Sequence, residues 1–219
     1  VWILDRGKTT NFASDGSPIR VVGTHADISE TKEAEQALVE AYEKIDALAR
    51  TDHLTGLPNR RNITETIEYE ITRAQRSRKP LVLALADIDD FKSINDRYGH
   101  DVGDGVLQHV SKLLSQFVRK QDTTARWGGE EFLILLPETD IQGAEVLAWK
   151  LAKHVSSHPY KSGKNLLRTT LTWGVALYDP EQSLEVCLKQ ADLALYEGKE
   201  KGKNCVVVAG RSGEQNAED

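Results

Sequence analysis

The chain has 219 residues, a formal net charge of −6, 39% hydrophobic residues and 28% charged residues. This balance is typical of a folded chain and excludes wholesale disorder, while the acidic excess argues against general binding of polymeric nucleic acid. No run approaches the ~18 apolar residues of a membrane span, and no signal-peptide pattern is present. We therefore expect a cytoplasmic segment without membrane contact of its own, whose parent protein could still be membrane-anchored. The chain begins at Val1 and lacks methionine, so we interpret it as a piece of a larger protein.

The first 50 residues combine two strand-like runs with a helical pattern. The runs Val1–Asp5 and Pro18–Ile28 make too little sheet to be stable alone, so residues 1–28 are predicted to be the end of a domain that is otherwise missing. Residues 29–50 are predicted to form a helix with Ser29 as its N-cap. Its heptad seam consists of Thr31, Ala34, Leu38, Ala41, Ile45 and Leu48. We interpret it as a dimerising coiled-coil helix. A single amphipathic helix packed on its own domain is the alternative.

Residues 51–209 are predicted to form one complete α/β domain. Pro80–Ala86 is a continuous apolar run of strand length, which predicts a strand buried on both faces. The further predicted strands are 123–127, 131–136, 166–178 and 204–209. The predicted helices are 59–78, 101–119, 141–156 and 184–200, and residues 91–98 are predicted to form a short helix or a turn. This order predicts an antiparallel-rich central sheet flanked by helices. Gly128-Gly129 predicts a tight hairpin, since glycine supplies positive φ angles. The polar residues 210–219 are predicted to be a disordered tail.

Carboxylates are concentrated directly after the apolar strand. Alternation places Asp87 and Asp89 on the same face of the strand end. Oxygen ligands of this kind suit a hard divalent cation such as Mg²⁺, and Lys92 close by suits a phosphate. A solvated acidic loop with a helix cap is the alternative.

A second polar group follows at the predicted hairpin, in Arg126-Trp-Gly-Gly-Glu-Glu-Phe132. Two consecutive carboxylates at a hairpin tip serve no obvious packing purpose, although Gly-Gly followed by charges is also an ordinary turn. If the hairpin pairs beside the Asp87 strand, Glu130 can reach the same metal. Carboxylates from two strands around Mg²⁺ are typical of palm-type phosphoryl-transfer sites, where the metals orient a nucleoside triphosphate.

Four motifs in residues 51–208 together match one enzyme family. They are Asp52-His-Leu-Thr-Gly-Leu-Pro-Asn-Arg-Arg61, Asp87-Ile-Asp-Asp-Phe-Lys92 with Asn95-Asp96 and Gly99-His100, Gly-Gly-Glu-Glu-Phe at 128–132, and Ala191-Asp-Leu-Ala-Leu-Tyr196 with Lys199 and Gly202-Lys203-Asn204. In these motifs the chain resembles the GGDEF family, the diguanylate cyclases. The resemblance implies a nucleotidyl-cyclase or palm-like fold with a ferredoxin-like core.

The resemblance also implies an activity. Such enzymes condense two GTP molecules into cyclic di-GMP and release two pyrophosphates. Each domain binds one GTP, and two domains face each other in a homodimer. The implied cofactor is Mg²⁺, with Mn²⁺ as an alternative.

Roles of individual residues are implied by position in the motifs. The implied metal ligands are Asp87, the Ile88 carbonyl and Glu130. The Phe91 amide, Lys92, Lys199 and Lys203 are implied to contact phosphates, and Asn95, Asp104 and Leu54 to form the guanine pocket. The implied catalytic residues are Lys92, Glu130, which promotes deprotonation of the 3′-hydroxyl, and Glu131 near the metals. Asp52 and Arg126 are implied to form a structural salt bridge.

Two positions depart from the family pattern. Asp90 stands where many relatives carry an aromatic residue or histidine, and it adds negative charge near the metal. Lys203 stands where relatives often have arginine. Because a lysine cannot make a bidentate contact, we expect somewhat weaker triphosphate binding.

Arg119-Lys-Gln-Asp122 resembles the RxxD site at which cyclic di-GMP inhibits such enzymes. Arginine can bind phosphate or the guanine Hoogsteen edge, and aspartate can accept guanine N–H groups. Lys150 is a candidate contributor from the neighbouring surface. An exposed helix end is the alternative reading of this motif.

The N-terminal part resembles the last strands of a PAS sensor domain and its exit into a signalling helix. The matching segments are 2–7, 16–20, Gly23 and 27–32. Two other functions remain open for the main domain, a catalytically silent cyclic di-GMP receptor and a cyclase for a different dinucleotide. The intact Asp87, Lys92, Glu130 and Lys199 argue against the first. Asp104 argues against the second, because an acceptor at that position favours guanine.

Overall fold

The computed structural model describes residues 1–14 and 18–210, and the side chains at 9, 11, 12, 18, 19, 21 and 40–49 are outside the description. The predicted tail lies outside it from residue 211 onward, and the side chains of the seam residues Ala41, Ile45 and Leu48 lie outside it as well. The chain divides into two compact units, Val1–Ala49 and Arg50–Asp219.

The N-terminal unit contains a hairpin and a helix. Strands β1 (Ile3–Phe12) and β2 (Pro18–Asp27) pair antiparallel, and helix α1 runs over Ser29–Arg50. Ser29, the predicted N-cap, is the first helical residue, and its hydroxyl accepts a hydrogen bond of 2.8 Å from the Trp2 amide. Within the described ranges, no helix combines the length and apolar character that crossing a membrane requires.

The second unit alternates helices with the strands of its main sheet. Its elements are α2 (Arg60–Ser77), β3 (Leu81–Ile88), α3 (Phe91–Tyr98), α4 (His100–Ser115), β4 (Thr123–Arg126), β5 (Glu131–Pro137), α5 (Ile141–Ser157), β6 (Tyr160–Ser162), β7 (Asn165–Leu167), β8 (Leu171–Leu177), α6 (Leu184–Glu200) and β9 (Val206–Val208). The main sheet has the order β4-β5-β3-β8-β9, and β6 pairs with β7 in a separate hairpin. The α/β fold with a helix-flanked sheet is therefore confirmed.

Strand β3 lies at the centre of the sheet, and all eight of its residues are buried. Its alternate side chains face two hydrophobic cores, as expected for a strand covered on both faces. Val82, Ala84 and Ala86 face the core that α4 and α5 cover. Leu81, Leu83 and Leu85 face the core that α2 and α6 cover. By this alternation Asp87 lies on the α6 side of the sheet.

Three of the four strand pairings in the main sheet are antiparallel, as predicted, and β9 pairs parallel with β8. Two other expectations about the fold were wrong. The predicted strand 166–178 is two strands, since β7 turns back to pair with β6 and β8 begins again at Leu171 to pair with β3. Helix α4 ends at Ser115 rather than at residue 119. The Arg119 amide bonds to the Asp122 carboxylate at 2.8 Å, which replaces the helical partner it would otherwise need.

Candidate active site

Carboxylates from two neighbouring strands converge at the end of β3. Asp87 is 8% exposed and lies between Glu131 of β5 and Thr172 of β8 in the sheet register. The Ile88 amide donates to the Glu130 carbonyl at 3.3 Å, which fixes the tip of the β4–β5 hairpin beside the strand end. The structure thus brings Asp87, Ile88, Glu130 and Glu131 into one place.

The site concentrates negative charge where water is partly excluded. Burial raises the pKa of Asp87, although its hydrogen bond from Lys199 acts in the opposite direction. Burial and the charge of Asp87 raise the pKa of Glu130. Burial raises the pKa of Glu131 as well, with Asp87 and Asp192 adding to the effect. These raised pKa values mean that the carboxylates lack full compensation from protein cations.

This arrangement fits a divalent cation. A cation would supply the missing positive charge, and two carboxylates with a backbone carbonyl are hard oxygen ligands. Across residues 1–14 and 18–210, no three side chains among His, Cys, Asp and Glu are placed to hold a metal by themselves.

Two lysines approach the site from the end of α6 and the turn that follows it. The Lys199 ammonium contacts Asp87 Oδ1, and the Lys203 ammonium lies 2.6 Å from Asp90 Oδ1. Lys92 is exposed in the first turn of α3, and Phe91 begins that helix with its ring buried in the core. A helix N-terminus next to lysines is a favourable environment for phosphate.

Asp89 does not share the role that alternation suggested for it. Its carboxylate accepts hydrogen bonds from the hydroxyls of Thr170 and Thr172, each at 2.6 Å, and from the Asn204 amide at 3.0 Å. The structure thus occupies Asp89 with three protein donors, which join the β3–α3 turn to β8 and to the turn before β9. The expectation that Asp87 and Asp89 act as a pair was wrong for this reason.

The residues implied for guanine binding come from three segments. The Asn95 side chain packs against Gly103, and its Oδ1 atom is buried without a hydrogen-bond partner among the described residues. Leu54 packs against the core, and its carbonyl accepts from Gln108 Nε2 at 3.1 Å. Asp104 is exposed and lies one helical turn before Gln108. An unpaired buried amide oxygen is costly unless a ligand donates to it.

Gly103 is a site residue that the sequence reasoning did not assign. A Cβ atom at this position would lie 1.9 Å from Asn95 Oδ1, so only glycine leaves room for the amide. The signal was present in the glycine next to Asp104, but its purpose depends on how α3 packs against α4.

Arg126 organises the hairpin that carries Glu130. Its guanidinium contacts Asp52 at 3.0 Å and donates to the carbonyls of Gly128 and Gly129. The predicted reason for the two glycines was wrong, because neither has a positive φ angle. A Cβ atom at Gly128 would lie 2.5 Å from Glu131 Oε2, so a larger residue there would require the Glu131 carboxylate to move.

Arg119 and Asp122 lie in a tight turn after α4, on a different part of the unit. The Asp122 amide donates to the Arg119 carbonyl at 3.0 Å. Asp122 Oδ1 is buried and has no hydrogen-bond partner among the described residues, and burial raises the pKa of this carboxyl. Arg119 is exposed, as is Lys150 on the neighbouring helix α5. The turn thus combines the exposed guanidinium of Arg119 with the unsatisfied Oδ1 atom of Asp122.

Comparison with known proteins agrees with this geometry. The family model described as the GGDEF domain of diguanylate cyclases matches residues 49–205. The response regulator PleD of Caulobacter vibrioides is 40% identical over 163 residues, which are 73% of this chain and 36% of that protein. Diguanylate cyclase DgcZ of Escherichia coli is 37% identical over 158 residues, which are 72% of this chain and 53% of that protein. The chain thus spans about a third to a half of these two relatives.

A solved structure shares the fold over most of the chain. The coiled coil and GGDEF domain of DgcB from Caulobacter crescentus, in complex with c-di-GMP, superposes with a TM-score of 0.78 at 28% identity. The similarity covers 83% of this chain and 97% of that one.

Proposed function

The chain belongs to the GGDEF family of diguanylate cyclases, and on that premise we propose that it condenses two GTP molecules into cyclic di-GMP. The observation that carries the proposal is the meeting of Asp87 and Glu130 at the end of β3, with raised pKa values. The reaction joins the 3′-oxygen of one GTP to the α-phosphorus of the other and breaks the bond to pyrophosphate. Two such steps close the ring and release two pyrophosphates.

The cofactor in this proposal is Mg²⁺, with Mn²⁺ as the alternative. Asp87, Glu130 and the Ile88 carbonyl would hold it. When bound, the cation neutralises charge that develops on the phosphates. The raised pKa values of Asp87 and Glu130 support the proposal, since a cation would supply the compensating positive charge.

Protein side chains would position the triphosphate and receive a proton. The Phe91 amide, Lys92, Lys199 and Lys203 contact phosphate oxygens in this proposal. Glu130 accepts the proton of the attacking 3′-hydroxyl, and Glu131 stands next to it.

Guanine recognition is assigned to Asn95, Asp104 and Leu54. Asn95 and Asp104 bind the polar edge of the base, and Leu54 lines the pocket. The proposal is supported by the buried Asn95 oxygen, which a guanine N–H group would satisfy.

The proposed enzyme is active as a homodimer and is inhibited by its product. One domain holds one GTP, so two domains must face each other to make a cyclic dinucleotide. Product binding is assigned to Arg119 and Asp122, with Lys150 as a contributor. The unsatisfied Asp122 oxygen supports this assignment, since guanine N–H groups are suitable donors.

The N-terminal unit is proposed to be the end of a PAS sensor domain joined to a signalling helix. The antiparallel pairing of β1 with β2 and the 22-residue helix α1 support this assignment. The exposed side chain of Leu38 supports a role for α1 as a dimerising coiled coil. The proposed location of the chain is the cytoplasm.

Incubation with GTP and Mg²⁺ followed by identification of the product tests the proposal. We expect cyclic di-GMP and pyrophosphate in a 1:2 ratio from the wild-type chain, by the stoichiometry of the reaction. The Glu130→Gln variant should remain folded in a thermal melt and form little or no product. Product formation by this variant at the wild-type rate would contradict the assignment of Glu130. Binding of cyclic di-GMP without any turnover by the wild type would favour a silent receptor instead.

A further inference from the structure

Two turns of the active-site unit are joined by a row of polar contacts. Three acidic residues at the end of β3 and in the turn before α3 each contact the segment from Lys199 to Asn204. Asp87 contacts the Lys199 ammonium, Asp89 accepts from the Asn204 amide, and Asp90 contacts the Lys203 ammonium. Two of the three lysines that are proposed to bind phosphate, Lys199 and Lys203, are thus held by carboxylates at the end of β3 and in the turn after it.

The contact between Asp90 and Lys203 differs from the other two. Asp89 is buried and Asp87 is a proposed metal ligand, whereas the side chain of Asp90 is 68% exposed and that of Lys203 is 38% exposed. Asp90 precedes α3 at the N-cap position, but its side chain makes no capping hydrogen bond. It contacts Lys203 at 2.6 Å instead. An exposed ion pair contributes little net stability, so another anion can replace Asp90 readily.

The backbone holds both partners in an uncommon conformation. Asp90 has a φ angle of 56° and Lys203 a φ angle of 66°, both in the left-handed region. Non-glycine residues adopt this region rarely, and aspartate and asparagine do so more easily than most. The two turns therefore direct these side chains toward each other through fixed backbone geometry.

We propose that Asp90 competes with the nucleotide phosphates for Lys203 and thereby weakens their binding. This inference rests on the proposed function, in which Lys203 binds phosphate. A phosphate group that approaches Lys203 must displace the Asp90 carboxylate. The displaced carboxylate also repels the incoming anion. After pyrophosphate has formed, the Asp90 carboxylate can form its ion pair with Lys203 again. This favours dissociation of the pyrophosphate.

Competition for Lys203 and repulsion of the incoming phosphate both weaken nucleotide binding. Replacing Asp90 with a neutral residue should therefore strengthen that binding. Asp90→Asn removes the charge, keeps the size of the side chain and tolerates the left-handed backbone. It should tighten binding of a non-hydrolysable GTP analogue by about two- to fivefold, the range of a surface ion pair. Binding of inorganic pyrophosphate should tighten in the same direction. The KM for GTP should fall without a rise in kcat.

A double-mutant cycle separates competition for Lys203 from simple repulsion. Calorimetry with the analogue in Mg²⁺ is performed on wild type, Asp90→Asn, Lys203→Gln and the double variant. We expect Lys203→Gln to weaken binding and to remove most of the gain that Asp90→Asn produces. Glu200→Gln, an exposed charge change at the end of α6, is the matched control and should leave the affinity unchanged. Thermal melts verify that all variants are folded.

The outcomes distinguish this inference from the function on which it rests. If the wild type binds the analogue but Asp90→Asn binds it equally or more weakly, the inference is wrong and the proposed function stands. If Asp90→Asn tightens binding of the analogue equally in the wild type and in Lys203→Gln, then Asp90 acts by repulsion alone. That result also overturns the inference. If the wild type binds neither the analogue nor GTP, the proposed function fails and the inference fails with it.

Discussion

The Arg126 guanidinium connects the start of the active-site unit to the hairpin that carries Glu130. Its Nη1 atom donates to both carboxylate oxygens of Asp52, at 3.0 and 3.1 Å, while Nη2 donates to the Gly129 carbonyl at 2.7 Å. Both side chains of the ion pair are largely buried, at 16% and 15% exposure. A planar group with several donors can make these contacts together, and an ammonium cannot.

Arg126→Lys should therefore destabilise the fold and reduce cyclase activity. We expect a loss of about 1–3 kcal/mol in the free energy of unfolding, because charged hydrogen bonds are lost in a partly buried place. Activity should fall by more than the fraction of unfolded protein accounts for. The reason is that the Gly129 carbonyl loses its hydrogen bond from Arg126, and the neighbouring Glu130 is then no longer held in position. Urea unfolding and product assays measure the two effects. Arg73→Lys is the control, because Arg73 forms an exposed ion pair with Glu138 at 2.9 Å. Equal losses in both variants would contradict a special role for Arg126.

Gly103→Ala should reduce the preference for guanine. The added Cβ atom would lie 1.9 Å from Asn95 Oδ1, so the Asn95 amide must move away from its present position. We expect the ratio of kcat/KM for GTP to that for ATP to fall about tenfold, the equivalent of one lost hydrogen bond in the pocket. Gly105→Ala in the same helix is the control, because its Cβ atom would meet the Tyr160 hydroxyl instead. An unchanged ratio in Gly103→Ala would show that Asn95 does not read the base.

Arg119→Ala should weaken product binding without affecting catalysis directly. Arg119 is exposed in the turn that contains the unsatisfied Asp122 oxygen. Loss of a charged contact should reduce the affinity for cyclic di-GMP about tenfold or more, so the progress curve should continue further before it slows. The initial rate should stay the same. Lys120→Ala removes an equal charge from the next residue and serves as the control. If calorimetry shows that Arg119→Ala binds cyclic di-GMP as tightly as the wild type does, the motif is an exposed turn without a role in product binding.

The apolar pattern was sufficient to predict the central strand and the helices around it. The run that became β3 is buried on both faces, and α3 and α6 have the predicted bounds. Two features could not be read from local pattern. Whether β9 pairs parallel or antiparallel with β8 depends on how α6 crosses the sheet. Asp89 follows the same alternation as Asp87, but its donors Thr170 and Thr172 are distant in sequence, so local spacing could not show that it was already occupied.

Stability should depend on pH through His154. Its pKa lies below the ordinary value of 6.5 because of burial and the neighbouring His158 and His109. The ring packs against Phe117 with 4.3 Å between centroids, and its Nε2 atom is buried without a partner among the described residues. The unfolded chain therefore binds a proton at His154 more readily than the folded chain does. Stability should fall as the pH drops below 6.5 toward the lower pKa of the folded state.

The variant His154→Gln isolates this contribution. The free energy of unfolding is measured in urea at about pH 7.5 and about pH 5.5, on either side of the ordinary histidine pKa. On acidification, the free energy of unfolding should fall more for the wild type than for the variant. A difference between the two proteins that is the same at both pH values does not affect this comparison. Identical losses would mean that His154 titrates alike in the folded and unfolded chains.

Association through α1 is testable with two adjacent residues. Leu38 is 71% exposed and lies in the predicted heptad seam, whereas Val39 is 51% exposed and lies outside it. A parallel coiled coil would raise the effective concentration of the second cyclase domain, which the two-GTP reaction requires.

Leu38→Glu places like charges across the seam and should disfavour association. Its specific activity should fall at low protein concentration and recover partly at high concentration. Val39→Glu adds the same charge at the next position and should stay dimeric and active. Sedimentation and activity are measured on the same dilution series. A dimeric Leu38→Glu, or a monomer with full activity at every dilution, would rule out α1 as the dimerising element.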